Sequence, residues 1–417
     1  MSKLLYILGN RLYLFSIKIA SLWNTKARLW VNGRKNWKAT LTTFAQQNTA
    51  PSVWMHCASL GEFEQGRTVF EALKKNYKQY KFVLTFFSPS GYEIRKNYSE
   101  ADLVLYLPQN TNNNATFFVT TLQPTLVIWV KYDYWNNYLL NLQQQNIPTL
   151  LIAAKFNSNQ PFFKPYGAYW VKLLASFKHI FVQDEASITL LQSIAIKHCS
   201  IGGDTRFDRV VAIANELKEN ASIEQFCNNQ QVIIAGSTWL EDEEEICHYA
   251  NNNPHLKFII APHDVQESRV QEVEKLFKNA IRFSNYRLAN TAENSVLIID
   301  NIGLLSTLYK YATLVYIGGG FNASGIHNIL EAAVYGKPIL FGPTYEKFKE
   351  AIDLVESDAA FTIDNAMEFE QECKELLQQD TLYTTACSNA YSYVQSNKGA
   401  TAIIENYVVE NRLLTKL

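Results

Sequence analysis

Two stretches of this chain gather side chains able to move protons and hold anions. The first is Ala58-Ser59-Leu60-Gly61-Glu62-Phe63-Glu64-Gln65-Gly66, which follows the apolar run starting at Val53. A carboxylate beside a glycine, where a strand gives way to a helix, suits a general base. Gly61 allows a substrate to approach and Glu62 supplies the proton acceptor. Glu62 would serve equally as a first-turn anion stabilising the helix dipole by a few tenths to about 1 kcal/mol, and both readings stand. Thr85-Phe86-Phe87-Ser88-Pro89-Ser90-Gly91-Tyr92 closes the next strand with a similar polar turn. Ser59, Gly61 and Ser88 are therefore candidate substrate contacts.

The second stretch runs from Leu314 to Pro343, LVYIGGGFNASGIHNILEAAVYGKPILFGP. A β-branched run ends in Gly318, Gly319 and Gly320, Ile326 to Ala333 reads as a helix stopping at Gly336, and Pro338 to Phe341 reads as another strand. Glycines let backbone N–H groups close in on an anion, and a helix start adds unpaired donors and a positive dipole end. On such a helix His327 and Glu331 share a face, so a phosphate at its start and a ribose on Glu331 would fit. A plain glycine turn with His327 and Glu331 as capping groups fits the same residues. Ala235-Gly236-Ser237-Thr238, Ala261-Pro262-His263-Asp264 and Asp300-Asn301-Ile302-Gly303 end other apolar runs. Four such turns on one sheet edge are how a nucleotide pocket is built from short loops.

The elements that must carry these residues alternate along the chain. Val53 to Ala58, Phe82 to Phe87, Leu103 to Leu107, Leu126 to Val130, Thr149 to Ala154, His179 to Gln183 and Cys199 to Gly202 are short apolar runs separated by helix-length segments. A polar helical stretch, Arg209 to Asn229, interrupts the alternation, which restarts with Val232 to Gly236, Phe258 to Ala261, Val296 to Ile299, Leu314 to Ile317 and Pro338 to Phe341. Runs apolar on both faces predict parallel sheets covered by helices, here in two domains. The Asn clusters at 112–114 and 251–253 read as surface turns.

With 417 residues, 47% hydrophobic and 18% charged, the chain has material for two folded cores. A net charge of -1 gives no electrostatic case for a nucleic-acid partner. Six cysteines without CxxC spacing favour reduced thiols, and no metal site is expected. The first 40 residues are different: Leu4, Leu5, Ile7, Leu8, Leu12, Leu14, Phe15, Ile17, Ile19 and Leu22 are interrupted by Lys3, Arg11 and Lys18 and followed by Trp23, Trp30, Trp37 and further cations. Arg11 and Lys18 would each cost about 2.5 to 3.5 kcal/mol near mid-bilayer, so a helix lying in the interface of an anionic leaflet is expected. An ordinary packed first helix and a single span are the alternatives.

The ordered set Ser59-Leu60-Gly61-Glu62, Thr85 with Ser88-Pro89-Ser90-Gly91, Tyr106-Leu107-Pro108, Trp135-Asn136-Asn137, Gly203-Asp204-Thr205-Arg206-Phe207-Asp208, Ala235 to Thr238, Ala261-Pro262-His263, Gly318-Gly319, His327-Asn328 with Glu331, Gly336-Lys337-Pro338 and Phe341-Gly342-Pro343 resembles the bacterial 3-deoxy-D-manno-octulosonic acid (Kdo) transferases. The resemblance runs from about Leu4 to the final helix. It implies an α/β fold of GT-B architecture, two Rossmann-like doubly wound domains facing a cleft, with an N-terminal membrane-associating helix. The implied division is a membrane-associating segment (1–40), an acceptor domain (41–208), a linker (209–229), a donor domain (230–397) and a C-terminal helix packing back on the first domain (398–417).

The resemblance also implies inverting, metal-independent transfer of Kdo from CMP-Kdo to a lipid A precursor of the lipid IVA type, in lipopolysaccharide assembly. The partners would be that precursor, CMP-Kdo as donor substrate with no other cofactor, and the cytoplasmic leaflet of the inner membrane, with the catalytic domains facing the cytoplasm. Glu62 matches the family's base. Ser237, Thr238, His263, Gly303, Gly318, Gly319, Asn328 and Glu331 match the donor pocket, with Glu331 a ribose contact. Arg206 or Lys155 is a candidate partner for the Kdo carboxylate, and His327 a further substrate contact. One departure is that Lys131-Tyr132-Asp133-Tyr134-Trp135 stands where many members read Glu-Thr-Glu-Leu-Trp, and Asn136 replaces the usual Pro. Lys131 cannot act as that carboxylate and is a candidate contact for an acceptor phosphate or a sugar carboxylate. A GT-B enzyme using a UDP-sugar and a non-catalytic membrane-bound scaffold are the competing readings.

Overall fold

A computed structural model describes residues 2–216, 219–286 and 294–415. It divides into two compact units, Met1–Arg209 with Gly399–Leu417, and Val210–Lys398. In the first, β1 (Ser52–Cys57), β2 (Lys81–Phe86), β3 (Leu103–Tyr106), β4 (Pro124–Val130), β5 (Thr149–Ala154), β6 (His179–Val182) and β7 (Cys199–Ile201) form one sheet. Its order is β3-β2-β1-β4-β5-β6-β7, with every pair parallel. Period-2 alternation splits the strand residues between two cores. Val53, Met55 and Cys57 join Leu126, Ile128 and Val130 on one face, while Trp54 joins Val127 and Trp129 on the other. Because both faces are covered, these strands read as unbroken apolar runs.

The second unit repeats the plan with β8 (Val232–Thr238), β9 (Lys257–Pro262), β10 (Ala280–Arg282), β11 (Val296–Ile298), β12 (Leu314–Ile317), β13 (Ile339–Phe341) and β14 (Ala360–Thr362). The order is β10-β11-β9-β8-β12-β13-β14, again all parallel. Strand order reverses between β1 and β4 in one sheet and between β8 and β12 in the other. Ligands of doubly wound sheets collect outside the strand carboxyl ends at such switch points.

Three helices precede β1: Ser2–Ala20, Thr25–Asn32 and Trp37–Gln47. The side chains of Lys3, Leu4, Leu5, Ile7, Leu8 and Arg11, part of the anchor expectation, lie outside the described residues. Of those described, Leu12, Phe15, Ile19, Leu22 and Trp23 are exposed, the first at 64% and Leu22 at 76%. Among the described residues no helix is long and apolar enough to cross a membrane. Arg34 ties this segment to the sheet: its guanidinium donates to the carbonyls of Leu107 (2.8 Å), Trp30 (2.9 Å) and Phe87 (2.6 Å) and lies 3.8 Å from the Trp30 ring centroid.

The C-terminal helix Ala400–Glu410 packs on the helix Leu60–Asn76, burying Ile404 and Val408 in the core that contains Met55 and Phe63. Asp208 caps it, accepting from the N–H groups of Gly399 and Thr401, both at 2.7 Å. The 209–229 stretch holds the end of the helix Thr205–Asn215 and the helix Ala221–Cys227, with residues 217–218 outside the described set. The Asn clusters are not turns as expected. Asn112 to Asn114 open the helix Asn112–Leu122, whose start is fixed by Thr111 accepting from Asn114 N. Asn251 and Asn252 end the helix Leu240–Asn252. The six cysteines are all free.

Candidate active site

At the first switch point, Ser59 caps the helix Leu60–Asn76 by accepting from Glu62 N at 3.4 Å, and Glu62 Oε2 accepts from Ala58 N at 2.5 Å. The two bonds hold the carboxylate at the carboxyl end of β1. Burial pushes the Glu62 pKa up, the Asp133 carboxylate pushes it further, and the Ala58 N–H, the Lys131 ammonium and the Tyr132 N–H pull it back, leaving it at about 7. A carboxyl poised there exchanges protons near neutrality, which a helix-dipole role does not need. A Cβ built on Gly61 would meet nothing within 4 Å, so the approach beside Glu62 is open.

Beneath Glu62 lies a buried polar chain that sequence reasoning missed as part of the site. Trp54 Nε1 donates to Thr85 Oγ1 (2.8 Å), which is 2.9 Å from His56 Nδ1. His56 Nε2 is 3.5 Å from Asp133 Oδ2. His56 is fully buried, and burial lowers its pKa. With Nε2–H turned towards Asp133, Nδ1 is left to accept a hydrogen bond from the Thr85 hydroxyl. Trp135 Nε1 also donates to Asp133 Oδ2, at 3.1 Å. The available signal was Asp133's place just after β4, the strand beside β1.

Lys131 follows β4 in a left-handed backbone conformation, φ 56°. Lys155 follows β5 and lies 3.8 Å from Asp184. Arg206, after β7, pairs with Asp204 at 2.8 and 2.7 Å. Thus Glu62, Lys131, Lys155 and Arg206 share one sheet edge. Ser88, after β2, caps the helix Pro89–Arg95 without a side-chain cap bond and instead lies 2.7 Å from Ser90 Oγ.

In the second unit, β8 and β9 slip by one residue between Gly236 and Thr238, and Ser237 takes φ 56° there. A bulge at the strand end with a non-glycine left-handed residue is a device for re-aiming a side chain. Thr238 is buried and donates to Glu243 Oε1 at 2.7 Å. Trp239, His263 and His327 stack in turn: centroids are 4.7 Å apart for the first pair and 4.6 Å for the second. Trp239 Nε1 donates to His327 Nε2 at 3.2 Å. Burial, reinforced by His263, takes His327 down to about 4, so it is a neutral acceptor at physiological pH. Trp239 was not foreseen, although it directly follows Ser237 and Thr238 and is 38% exposed.

The glycine stretch differs from its expected form. The helix is only Leu330–Ala333, because Asn328 Oδ1 accepts from Leu330 N at 3.3 Å and competes with helix formation before that point. His327 therefore lies outside the helix, and Glu331 receives Asn328 Nδ2 at 3.0 Å. Two of the three glycine N–H groups are not open to an anion: Gly318 N is bonded to Gly236 O and Gly319 N to buried Asp242, both at 2.9 Å. Gly318 is needed for close packing, since a Cβ there would stand 2.4 Å from Ser237 O, and Gly319 for its φ of 95°. Gly303 has φ 101° and open space around its Cβ position. Ser237, His263, Asn328 and Glu331 thus end or follow strands on one edge. Among the described residues no three His, Cys, Asp or Glu gather as metal ligands.

Residues 35–209 match the family model described as 3-deoxy-D-manno-octulosonic-acid transferase (kdotransferase). The chain is 24% identical over 362 residues to the 3-deoxy-D-manno-octulosonic acid transferase of Rickettsia felis, covering 83% of this chain and 76% of that protein. It is 24% identical over 340 residues to the transferase of the same name from Aquifex aeolicus, covering 79% and 87%. Among solved structures, UDP-GlcNAc 2-epimerase from Neisseria meningitidis matches with a TM-score of 0.61 at 18% identity, covering 86% of this chain and all (100%) of that one. Acinetobacter baumannii MurG matches with a TM-score of 0.53 at 14% identity, covering 86% and 100%. At those identities the structural likenesses speak for the GT-B fold alone.

Proposed function

The chain belongs to the Kdo transferase family, and from that premise we propose that it moves Kdo from CMP-Kdo to the glucosamine disaccharide of a lipid A precursor, with inversion and without a metal. The observation that carries the reading is Glu62, a half-buried carboxyl at a switch point with its pKa raised to about 7. The acceptor hydroxyl attacks the anomeric carbon of Kdo as the bond to the CMP phosphate oxygen breaks. The hydroxyl proton passes to Glu62, and the electron pair of the broken bond leaves on CMP. Ser237, Thr238, His263, Gly303, Asn328 and Glu331 hold the donor, with Gly318 and Gly319 shaping the pocket by letting backbones meet. The exposed apolar row Leu12, Phe15, Ile19, Leu22 and Trp23 supports a monotopic seat on the cytoplasmic leaflet of the inner membrane, where a glycolipid acceptor would be met.

The test is product analysis by mass spectrometry after incubating detergent-solubilised protein with a lipid A precursor and freshly generated CMP-Kdo, alongside a panel of UDP-sugars. The expected result is a Kdo-bearing glycolipid with stoichiometric CMP. Transfer from a UDP-sugar alone, or donor binding with no turnover, would overturn the reading.

A further inference from the structure

Lys131 is the one residue at the first switch point whose charge runs against the family's usual string, and its surroundings give that change a consequence. Its backbone N–H remains bonded to Ile152 O at 3.1 Å, yet its φ of 56° is costly for a residue with a Cβ. The side chain is half-buried, and among the described residues its ammonium has no ion-pair or hydrogen-bond partner, its nearest ring being Tyr132 at 5.4 Å. An enclosed, unpaired ammonium is unfavourable unless something else supplies the counter-charge. The protein does not supply enough of it. Burial lowers its pKa most, the Arg206 and Lys155 charges lower it further, and Asp204 and Glu62 pull it back up. Asp204 is already engaged by Arg206, and Asp184 faces Lys155.

Strand order brings the cations together. β4, β5, β6 and β7 are consecutive and parallel, so the residues that follow them, Lys131, Lys155, Asp184 and Asp204 with Arg206, line up along one edge at a strand spacing of about 4.8 Å. Glu62 stands beside Lys131 because β1 neighbours β4. We propose that Lys131, backed by Lys155 and Arg206, is an oxyanion subsite that receives a phosphate or carboxylate group on the acceptor, next to the hydroxyl that Glu62 deprotonates. The subsite rests on the transferase reading above and sets the acceptor's register against the base. An acid group on the donor sugar has the same chemistry, and the experiment separates the two sources.

The experiment compares kcat/KM for a phosphorylated glycolipid acceptor and its enzymatically dephosphorylated counterpart in wild type, Lys131→Met and Lys131→Arg, with KM for CMP-Kdo measured in each. Loss of one charge-assisted contact predicts that the phosphorylated-to-dephosphorylated ratio falls about 10- to 100-fold in Lys131→Met and is largely restored in Lys131→Arg. The donor KM should stay unchanged across the series. A shifted donor KM with an unchanged acceptor ratio would assign Lys131 to the donor's carboxylate and overturn the proposal. So would equal losses on both acceptors, which would mean that Lys131 acts through Glu62. Equilibrium binding of the two acceptors to the full chain is measured in parallel. If wild type transfers Kdo to neither acceptor, the transferase reading fails, while a Lys131-dependent preference for the phosphorylated acceptor would still uphold the subsite and its absence would refute it.

Discussion

Replacing Glu62 by Gln should make the protein more stable at pH 8, not less. The Glu62 carboxyl rises from its ordinary 4.5 to about 7 in the fold, so ionising it costs the folded state more than the unfolded chain. At about 1.36 kcal/mol per pH unit, this amounts to about 3 kcal/mol. Between about pH 4.5 and 7 the folded state binds more protons than the unfolded one, so stability falls as pH rises through that window and then levels off. Glutamine removes the charge and can still accept from Ala58 N, now 2.5 Å from the carboxylate. The expected gain is therefore about 1 to 3 kcal/mol at pH 8, shrinking towards zero at pH 4. Urea titrations of both proteins at the two pH values read it directly, with an unchanged slope confirming that the same surface is exposed. If Glu62 were only a helix-dipole anion, the Gln variant would instead lose up to about 1 kcal/mol at pH 8, and that result would refute the reasoning.

Three other outcomes follow from the site. The kcat/KM profile of the wild type should rise with pH through a limb near 7, and Asp133→Asn should move that limb to lower pH, since the Asp133 charge helps hold Glu62 protonated; an unmoved limb in a folded variant would detach Asp133 from the base. Glu331→Gln should chiefly raise the KM for CMP-Kdo, because the proposed ribose contact would be made equally in ground and transition states; a fall in kcat at constant KM would contradict that role. Removing the residues before Trp30 should weaken sedimentation with anionic vesicles, and added salt should release the full chain only partly, because apolar burial is unscreened; co-sedimentation equal to the full chain would remove the anchor.

The long central strands were legible because they are buried on both faces: β5 was read at its observed limits, Thr149–Ala154, and β12 at Leu314–Ile317. The edge strands Ala280–Arg282 and Ala360–Thr362 were not. Glu62 was legible from its place after β1, but its proton affinity was not. That depends on Asp133, 71 positions away in sequence terms and brought near only by the β1–β4 pairing, on the order of one strand spacing. The glycine run was legible as a loop and misread in its chemistry. Bonds to Gly236 and Asp242 consume the N–H groups of Gly318 and Gly319, and such partners are set by tertiary structure. Likewise the stack of Trp239, His263 and His327 joins the turns after β8, β9 and β12, which lie far apart in sequence and are gathered on one edge by strand pairing.

The most direct test of the account is the turnover of Glu62→Gln measured together with its affinity for CMP-Kdo. A general base removed without loss of shape should leave donor binding intact while kcat falls by about 10² to 10⁴-fold. A folded Glu62→Gln protein that binds CMP-Kdo and retains wild-type kcat would contradict the assignment of Glu62 as the base.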